Sequence, residues 1–268
     1  MLRQLQDIEE KISMNKLETI FKNQKAFIAF ITAGDPTIEK TIDYVLKIAE
    51  AGADLIEIGI PFSDPTAEGV VIQEANIRAL KNGATTDKVF DAVAKIRQKS
   101  DVALAFMTYA NVLFHYGYER FCKRCQELNV EGLMIPDLPF EEREELSCIA
   151  SEYGIEVVSF IAPTSTERIK MIAKEARGFI YLISSLGVTG VRSEIKTNLD
   201  EIIAEIRKVT DVPVAIGFGI STPEQAKEMA KKADGVIVGS AIVRLVETYR
   251  DAADEAIFTY VKSMKEAL

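Results

Sequence analysis

Glu57 is a carboxylate set inside the apolar run Leu55-Ile56-Glu57-Ile58. If that run is a strand whose Ile56 and Ile58 face covering helices, alternation turns Glu57 the other way, into the interior of the fold. A charge there is costly unless it is paired or put to use. Burial raises a carboxylate's pKa, which suits a group that both gives and takes protons. The bland alternative is a structural carboxylate satisfied by neighbouring donors. Glu68 follows, beyond the loop Pro61-Phe62-Ser63-Asp64-Pro65. Asp64 stands before a proline and reads as a turn former.

Other residues point to an anion. Gly217-Phe218-Gly219 and Gly239-Ser240 each directly follow a short apolar run. Without a Cβ, glycine lets backbone N–H groups come close to a ligand. Ser240 adds a hydroxyl, and Ala241-Ile242-Val243 has the makings of a short helix whose N-terminus points at the anion. Either turn alone reads as well as a tight connection; both together favour a phosphate site. A dinucleotide fingerprint fails, because Thr222 stands where its third glycine belongs and the motif does not follow the first strand. Cys122 and Cys125 form a C-x-x-C, but the surrounding residues read as helix and no second pair completes a zinc site. His115, the single histidine, lies in the aromatic stretch Phe114-His115-Tyr116, which suggests packing.

The elements that must carry these groups alternate along the chain. Strands are expected at 26–31, 54–58, 103–108, 132–135, 156–161, 179–183, 213–216 and 235–238. Most are continuous apolar runs, as in parallel strands buried on both faces. Amphipathic helical stretches such as 41–49 and 202–206 lie between them. Gly/Pro-rich segments follow many of the strands, and a (β/α)8 TIM barrel gathers all such loops at one mouth, whereas a doubly wound sheet brings together only a few. The chain of 268 residues suits one such barrel, so a single domain over 1–268 is expected. Leu2, Leu5, Ile8 and Ile12 sit at helical spacing, and 16–22 reads as a second short helix. This makes 1–24 an extra N-terminal helical segment closing the barrel bottom. Thr222, Pro223 and Gln225 spell a helix start with a capping box. An acidic balance, 41 carboxylates against 32 basic side chains, argues against nucleic acid. No apolar run is long enough for a membrane span, and the opening residues lack a secretion signal's apolar core, so a cytoplasmic protein is expected.

The run Glu57-Ile58-Gly59-Ile60-Pro61-Phe62-Ser63-Asp64-Pro65 closely resembles the signature of tryptophan synthase alpha subunits. The likeness covers nearly the whole chain. It includes Phe30-Ile31-Thr32-Ala33-Gly34-Asp35-Pro36, Met107-Thr108-Tyr109-Ala110-Asn111, Pro136-Asp137-Leu138-Pro139, Tyr181-Leu182-Ile183-Ser184, Gly187-Val188-Thr189-Gly190, and both phosphate turns. The resemblance implies a lyase that splits indole-3-glycerol phosphate into indole and glyceraldehyde-3-phosphate by a retro-aldol reaction in tryptophan biosynthesis. Glu57 matches the acid–base residue that protonates indole C3 and helps remove a glycerol hydroxyl proton. Glu68 matches the acidic residue that meets the indole N–H, and Tyr181 the tyrosine that supports the catalytic glutamate. Phe30, Tyr109, Met134 and Ile161 match the surroundings of the indole ring. Gly190, Gly217, Phe218, Gly219, Gly239 and Ser240 match the phosphate binders, and Thr189 the residue linking loop closure with the site.

The same resemblance implies a beta-subunit partner in an allosteric αββα heterotetramer, with pyridoxal phosphate held by that partner and no cofactor or metal in this chain. Two departures bear on the site. The family most often carries aspartate where Glu68 stands, and Ser185 replaces an arginine that some members have in the closing loop. Three alternatives follow. One is a stand-alone lyase releasing free indole. Another is a phosphate-ligand-binding allosteric module that activates a beta subunit but cleaves poorly. The third is a different barrel enzyme such as a sugar-phosphate isomerase, which the Glu57–Pro65 motif disfavours.

Overall fold

A computed structural model describes residues 16–184, 199–217 and 219–268. Its strands are β1 (Ala26–Thr32), β2 (Leu55–Gly59), β3 (Ala103–Met107), β4 (Gly132–Met134), β5 (Glu156–Val157), β6 (Ser159–Ile161), β7 (Ile180–Ile183), β8 (Val214–Gly217) and β9 (Gly235–Val238). They form one parallel sheet in the order β5-β4-β3-β2-β1-β9-β8-β7-β6. Nine strands stand where eight were expected because the stretch 156–161 is interrupted at Val158. Its first half pairs with β4 and its second half with β7, while Val158 N–H bonds Leu133 O at 2.9 Å. The stretch is thus one stave with a neighbour on each side, and the ring is the eight-stave (β/α)8 barrel.

The described helices are α1 (Lys16–Thr19), α2 (Ile38–Glu50), α3 (Val70–Lys81), α4 (Thr86–Arg97), α5 (Ala110–Tyr116), α6 (Tyr118–Glu127), α7 (Glu144–Glu152), α8 (Thr166–Lys174), α9 (Leu199–Arg207), α10 (Pro223–Ala230), α11 (Ser240–Tyr249) and α12 (Asp254–Glu266). Their starts follow the chemistry of the sequence. Thr37 caps α2, and Thr222 with Gln225 forms the expected capping box of α10, with Pro223 in its first turn. No helix of the described residues is long and apolar enough to cross a membrane.

Strand alternation sorts the core into an outer and an inner layer. Phe27, Ala29 and Ile31 of β1 pack outward against the helices. Ala26, Ile28, Leu55, Ala103, Ala105, Phe179, Ala215 and Ile237 fill the barrel interior. Leu17 and Ile20 join that inner cluster, so the chain ahead of β1 plugs the bottom. The segment before Lys16 lies outside the described residues. Between β2 and β3 the chain makes two helices where a barrel unit needs one. The additional one, α3, lies over Phe30 through Val71, Ile72 and Ala75, and meets Val243 of α11 there. This places α3 beside the mouth.

Candidate active site

Glu57 sits in the middle of β2 and is completely buried, and neither of its carboxylate oxygens has a hydrogen-bond partner. It stands in register with Phe30 on β1 and Ala105 on β3, two inward positions. Such a group cannot hold a full charge cheaply, and burial pushes its pKa up to about 8. Near neutral pH it therefore carries its proton most of the time. Tyr181 of β7 faces the same interior, and burial together with the Glu57 charge raises its phenol well above the ordinary value. The Tyr181 ring lies 4.8 Å from that of Phe160, centre to centre. Gly217 of β8 makes room for it: a Cβ there would stand 2.4 Å from Tyr181 Cε1.

Glu68 lies in the turn that leads into α3. Asn76 Nδ2 donates to Glu68 Oε2 at 2.6 Å, and the Tyr109 hydroxyl also bonds its carboxylate. Burial raises the Glu68 pKa to about 7, against the pull of those two hydrogen bonds. Tyr109 follows β3, is almost fully buried, and stacks on Phe62 with ring centres 5.1 Å apart. Asp137, in the loop after β4, accepts from Ala110 N–H at 2.9 Å and so ties the third and fourth loops together. The carboxylate of exposed Asp64 hydrogen-bonds the neighbouring Ser63 hydroxyl, in keeping with a turn former.

The two glycine turns follow β8 and β9. Gly217 ends β8, and Gly219 has φ +82°, a left-handed backbone that suits glycine. Gly239 follows β9 and caps α11, which begins at Ser240 and runs for 10 residues, longer than the short helix expected. The first N–H groups of a helix have no carbonyl partner within it and carry the positive end of its dipole. The end of α11 is therefore suited to an anion. Phe218, Thr189 and Gly190, also expected at this site, lie outside the described residues.

Among the residues expected around an indole ring, Phe30, Tyr109 and Met134 are buried; Met134 lies inside the barrel and Phe30 under α3. Ile161 instead joins the outer cluster shared with the helices. Its neighbour Phe160 packs with the interior, where it meets Tyr181. Val158, two residues before Phe160, also packs with the interior, so strand alternation puts these two inward and Ile161 outward. His115 is exposed, whereas Tyr116 beside it does pack, against Phe90 and Phe121. Cys122 and Cys125 both face the core from α6, and burial pushes the Cys122 thiol up to about 11. Asn76 was not singled out from the sequence. Its signal was there: an amide on the buried face of α3 beside Ala75 and Ala79.

A family model described as tryptophan synthase alpha chain matches residues 17–268. The tryptophan synthase alpha chain of Lacticaseibacillus casei is 52% identical over 255 residues, covering 95% of this chain and 96% of that one. That of Lactiplantibacillus plantarum (strain ATCC BAA-793 / NCIMB 8826 / WCFS1) is 53% identical over 256 residues, covering 95% and 97%. Among solved structures, tryptophan synthase subunit alpha from Legionella pneumophila str. Paris superposes with a TM-score of 0.84 at 33% identity, covering 95% of this chain and 98% of that one. A chain of the tryptophan synthase complex from Pyrococcus furiosus superposes with a TM-score of 0.82 at 34% identity, covering 90% and 98%. With its barrel, its buried glutamate and its glycine turns accounted for, the chain belongs to the tryptophan synthase alpha chain family.

Proposed function

We propose that this chain cleaves indole-3-glycerol phosphate to indole and glyceraldehyde-3-phosphate. The observation that carries the reading is Glu57, buried and unpartnered at the middle of β2 and facing the barrel interior, where burial raises its pKa to about 8. A protonated Glu57 gives its proton to indole C3, while Glu68 at the mouth takes up the positive charge that develops at the indole nitrogen. As a carboxylate, Glu57 then accepts the proton of the glycerol hydroxyl next to the ring. The bond from that carbon to indole C3 breaks, the oxygen keeps its electrons as a carbonyl, and the electron pair returns to the ring to restore indole. A group with a pKa near the working pH does both halves of this exchange well.

Tyr181 supports Glu57 from across the interior, and Phe30, Tyr109 and Met134 supply apolar walls for the ring. Gly217, Gly219, Gly239, Ser240 and the start of α11 hold the phosphate. The resemblance assigns Phe218 and Gly190 to the same phosphate-binding role and Thr189 to loop closure. The barrel acts as one domain, with the described part of the N-terminal segment, 16–24, closing its base.

The beta subunit of tryptophan synthase is the partner, and pyridoxal phosphate belongs to that subunit. In support, Phe114 of α5 is 74% exposed and lines a groove of about 480 Å³ with Asn111, Tyr118 and Leu138, next to the loop that bears Tyr109. An exposed aromatic beside a mouth is a typical anchor for a partner. The cytoplasm is the setting such biosynthesis needs. The alternative, a module that binds but cleaves poorly, drew on the Glu68 departure. Glu68's bonds to Asn76 and Tyr109 support the lyase instead. Indole release from indole-3-glycerol phosphate, with and without a beta subunit, tests this. Release that the beta subunit stimulates is expected. Ligand binding without release in either condition overturns it.

A further inference from the structure

Glu68 is held from outside its own turn. Asn76 of α3 is 4% exposed and shares the buried face of that helix with Ala75 and Ala79, where an amide is costly unless bonded. Its Nδ2 meets Glu68 Oε2 at 2.6 Å. The backbone of the turn is fixed as well. Gln73 Nε2 donates to the Glu68 carbonyl at 2.7 Å, and Ala67 N–H to the Tyr109 hydroxyl at 3.2 Å. The helix itself is pinned, because Arg78 forks onto Asp35 at 2.9 and 2.7 Å, and Asp35 is buried just beyond the end of β1. The Asn76 amide is therefore carried by a helix tied to the strand that bears Phe30.

Glutamate is longer than aspartate by one methylene, about 1.5 Å, and has one more rotatable bond to order. Left alone in a turn, its carboxylate samples several positions, and misplacement on the order of 1 Å is kinetically costly. We propose that Asn76 is a positioning residue for the cleavage reaction: its amide selects the Glu68 rotamer that sets the carboxylate against the indole nitrogen, taking up the extra methylene. This rests on the lyase reading of the site. Because the charge Glu68 meets develops on the way to the transition state, loss of the amide falls on kcat rather than on KM. Because Asn76 acts only through Glu68, its effect vanishes when the Glu68 charge is gone.

The test is a double-mutant cycle in the full chain with its beta subunit. It measures kcat, KM and melting temperature for wild type, Asn76→Ala, Asn76→Leu, Glu68→Gln and the Asn76→Ala/Glu68→Gln pair. Asn76→Leu keeps the shape without the amide, so it decides the matter if Asn76→Ala folds poorly. The expected result is a kcat loss of about 10–100-fold for either Asn76 variant with KM within about threefold. In the Glu68→Gln background, Asn76→Ala should change kcat by less than about twofold. Wild-type kcat in the Asn76 variants, or a loss that multiplies fully with that of Glu68→Gln, overturns the proposal. Absence of cleavage by the wild type removes the lyase reading and the proposal with it. Cleavage by the wild type with indifferent Asn76 variants removes the proposal alone.

Discussion

Glu57 and Glu131 are both buried glutamates on barrel staves, yet the protein treats them in opposite ways. Glu131 stands just before β4, at the bottom of the barrel. Its Oε2 accepts from Leu104 N–H at 2.9 Å and lies 3.4 Å from Arg97 Nη2, while Lys16 Nζ is 3.5 Å from Oε1. Burial raises its pKa, but the Leu104 N–H, Arg97 and Lys16 all oppose the rise. Glu57, towards the mouth, has no such donor, and burial acts on it unopposed. A carboxylate surrounded by donors is suited to holding structure; one kept buried and bare is suited to exchanging protons. The division follows the barrel rule that the bottom serves stability and the top serves chemistry.

The largest effect expected from this contrast is at Glu57. Glu57→Gln keeps the shape and removes the acid, so cleavage should fall by roughly 10³-fold or more. Its stability should move the other way. The folded pKa of about 8 lies above the ordinary 4.5, so the native state binds more protons between those values. Wild-type stability from this residue is therefore complete below about pH 4.5 and is lost as pH rises through 8, by a few kcal/mol at most. Gln has no proton to lose. Denaturant unfolding at pH 5 and pH 9 should show the variant matching wild type at the lower pH and exceeding it at the higher. A variant weaker than wild type at both would make Glu57 a structural carboxylate like Glu131.

Glu131→Ala should give the converse. It leaves the buried Leu104 N–H without its acceptor and Arg97 and Lys16 without their partner near the barrel floor, a loss on the order of 3 kcal/mol. In a chain of this size that lowers the melting temperature by roughly 5–10 °C. The mouth is untouched, so kcat and KM should stay within about twofold. A large fall in kcat at unchanged melting temperature would erase the distinction between the two carboxylates.

How much of this the sequence could show depended on how local the cause was. Glu57 was legible because an acid inside an apolar strand run breaks the pattern at a single residue. The two glycine turns were legible because each directly follows an apolar strand run, although either alone reads equally well as a tight connection. The capping box at Thr222 was legible because its cause lies within four residues of chain. Glu131 was not picked out, since its partners Leu104, Arg97 and Lys16 are distant in the chain; Asn76 was not, because only the folded turn brings the nearby Glu68 back onto its amide. Ile161 and Phe160 depended on which face of their stave turns inward, which a run apolar on both faces does not mark. Tryptophan synthase chemistry came from resemblance alone; the residue types suggested a barrel, a phosphate and a proton carrier, never indole.

The glycines of the inner layer extend the comparison. Gly217→Ala would put a methyl group 2.4 Å from Cε1 and 2.7 Å from the hydroxyl of Tyr181. A phenol ring buried between Phe160 and the β8 backbone has no free end to swing away, so the ring must shift bodily off Glu57. A displacement of about 1 Å in a supporting group costs up to roughly 10²-fold in kcat. Steady-state kinetics at matched folded fraction would show it, and a variant with wild-type kcat would remove Tyr181 from the machinery.

Gly132→Ala is the counterpart at the bottom and the smallest change expected. Gly132 begins β4, and a Cβ there would stand 2.7 Å from Leu17 Cδ1 and 3.4 Å from Ala105 Cβ. The closer contact is the end of a leucine side chain, which can turn. Leu17 belongs to a four-residue helix that enters the barrel from outside, so it also has a direction in which to retreat. Overpacking there should cost about 1–2 kcal/mol, read as a small fall in the unfolding midpoint with an unchanged denaturant slope. Cleavage should be indifferent, because Met134 above Gly132 separates the plug from the mouth. Should Gly132→Ala lower kcat as Gly217→Ala does, the plug and the mouth would be mechanically coupled, and the assignment of bottom to stability and top to chemistry would fail at its weakest point.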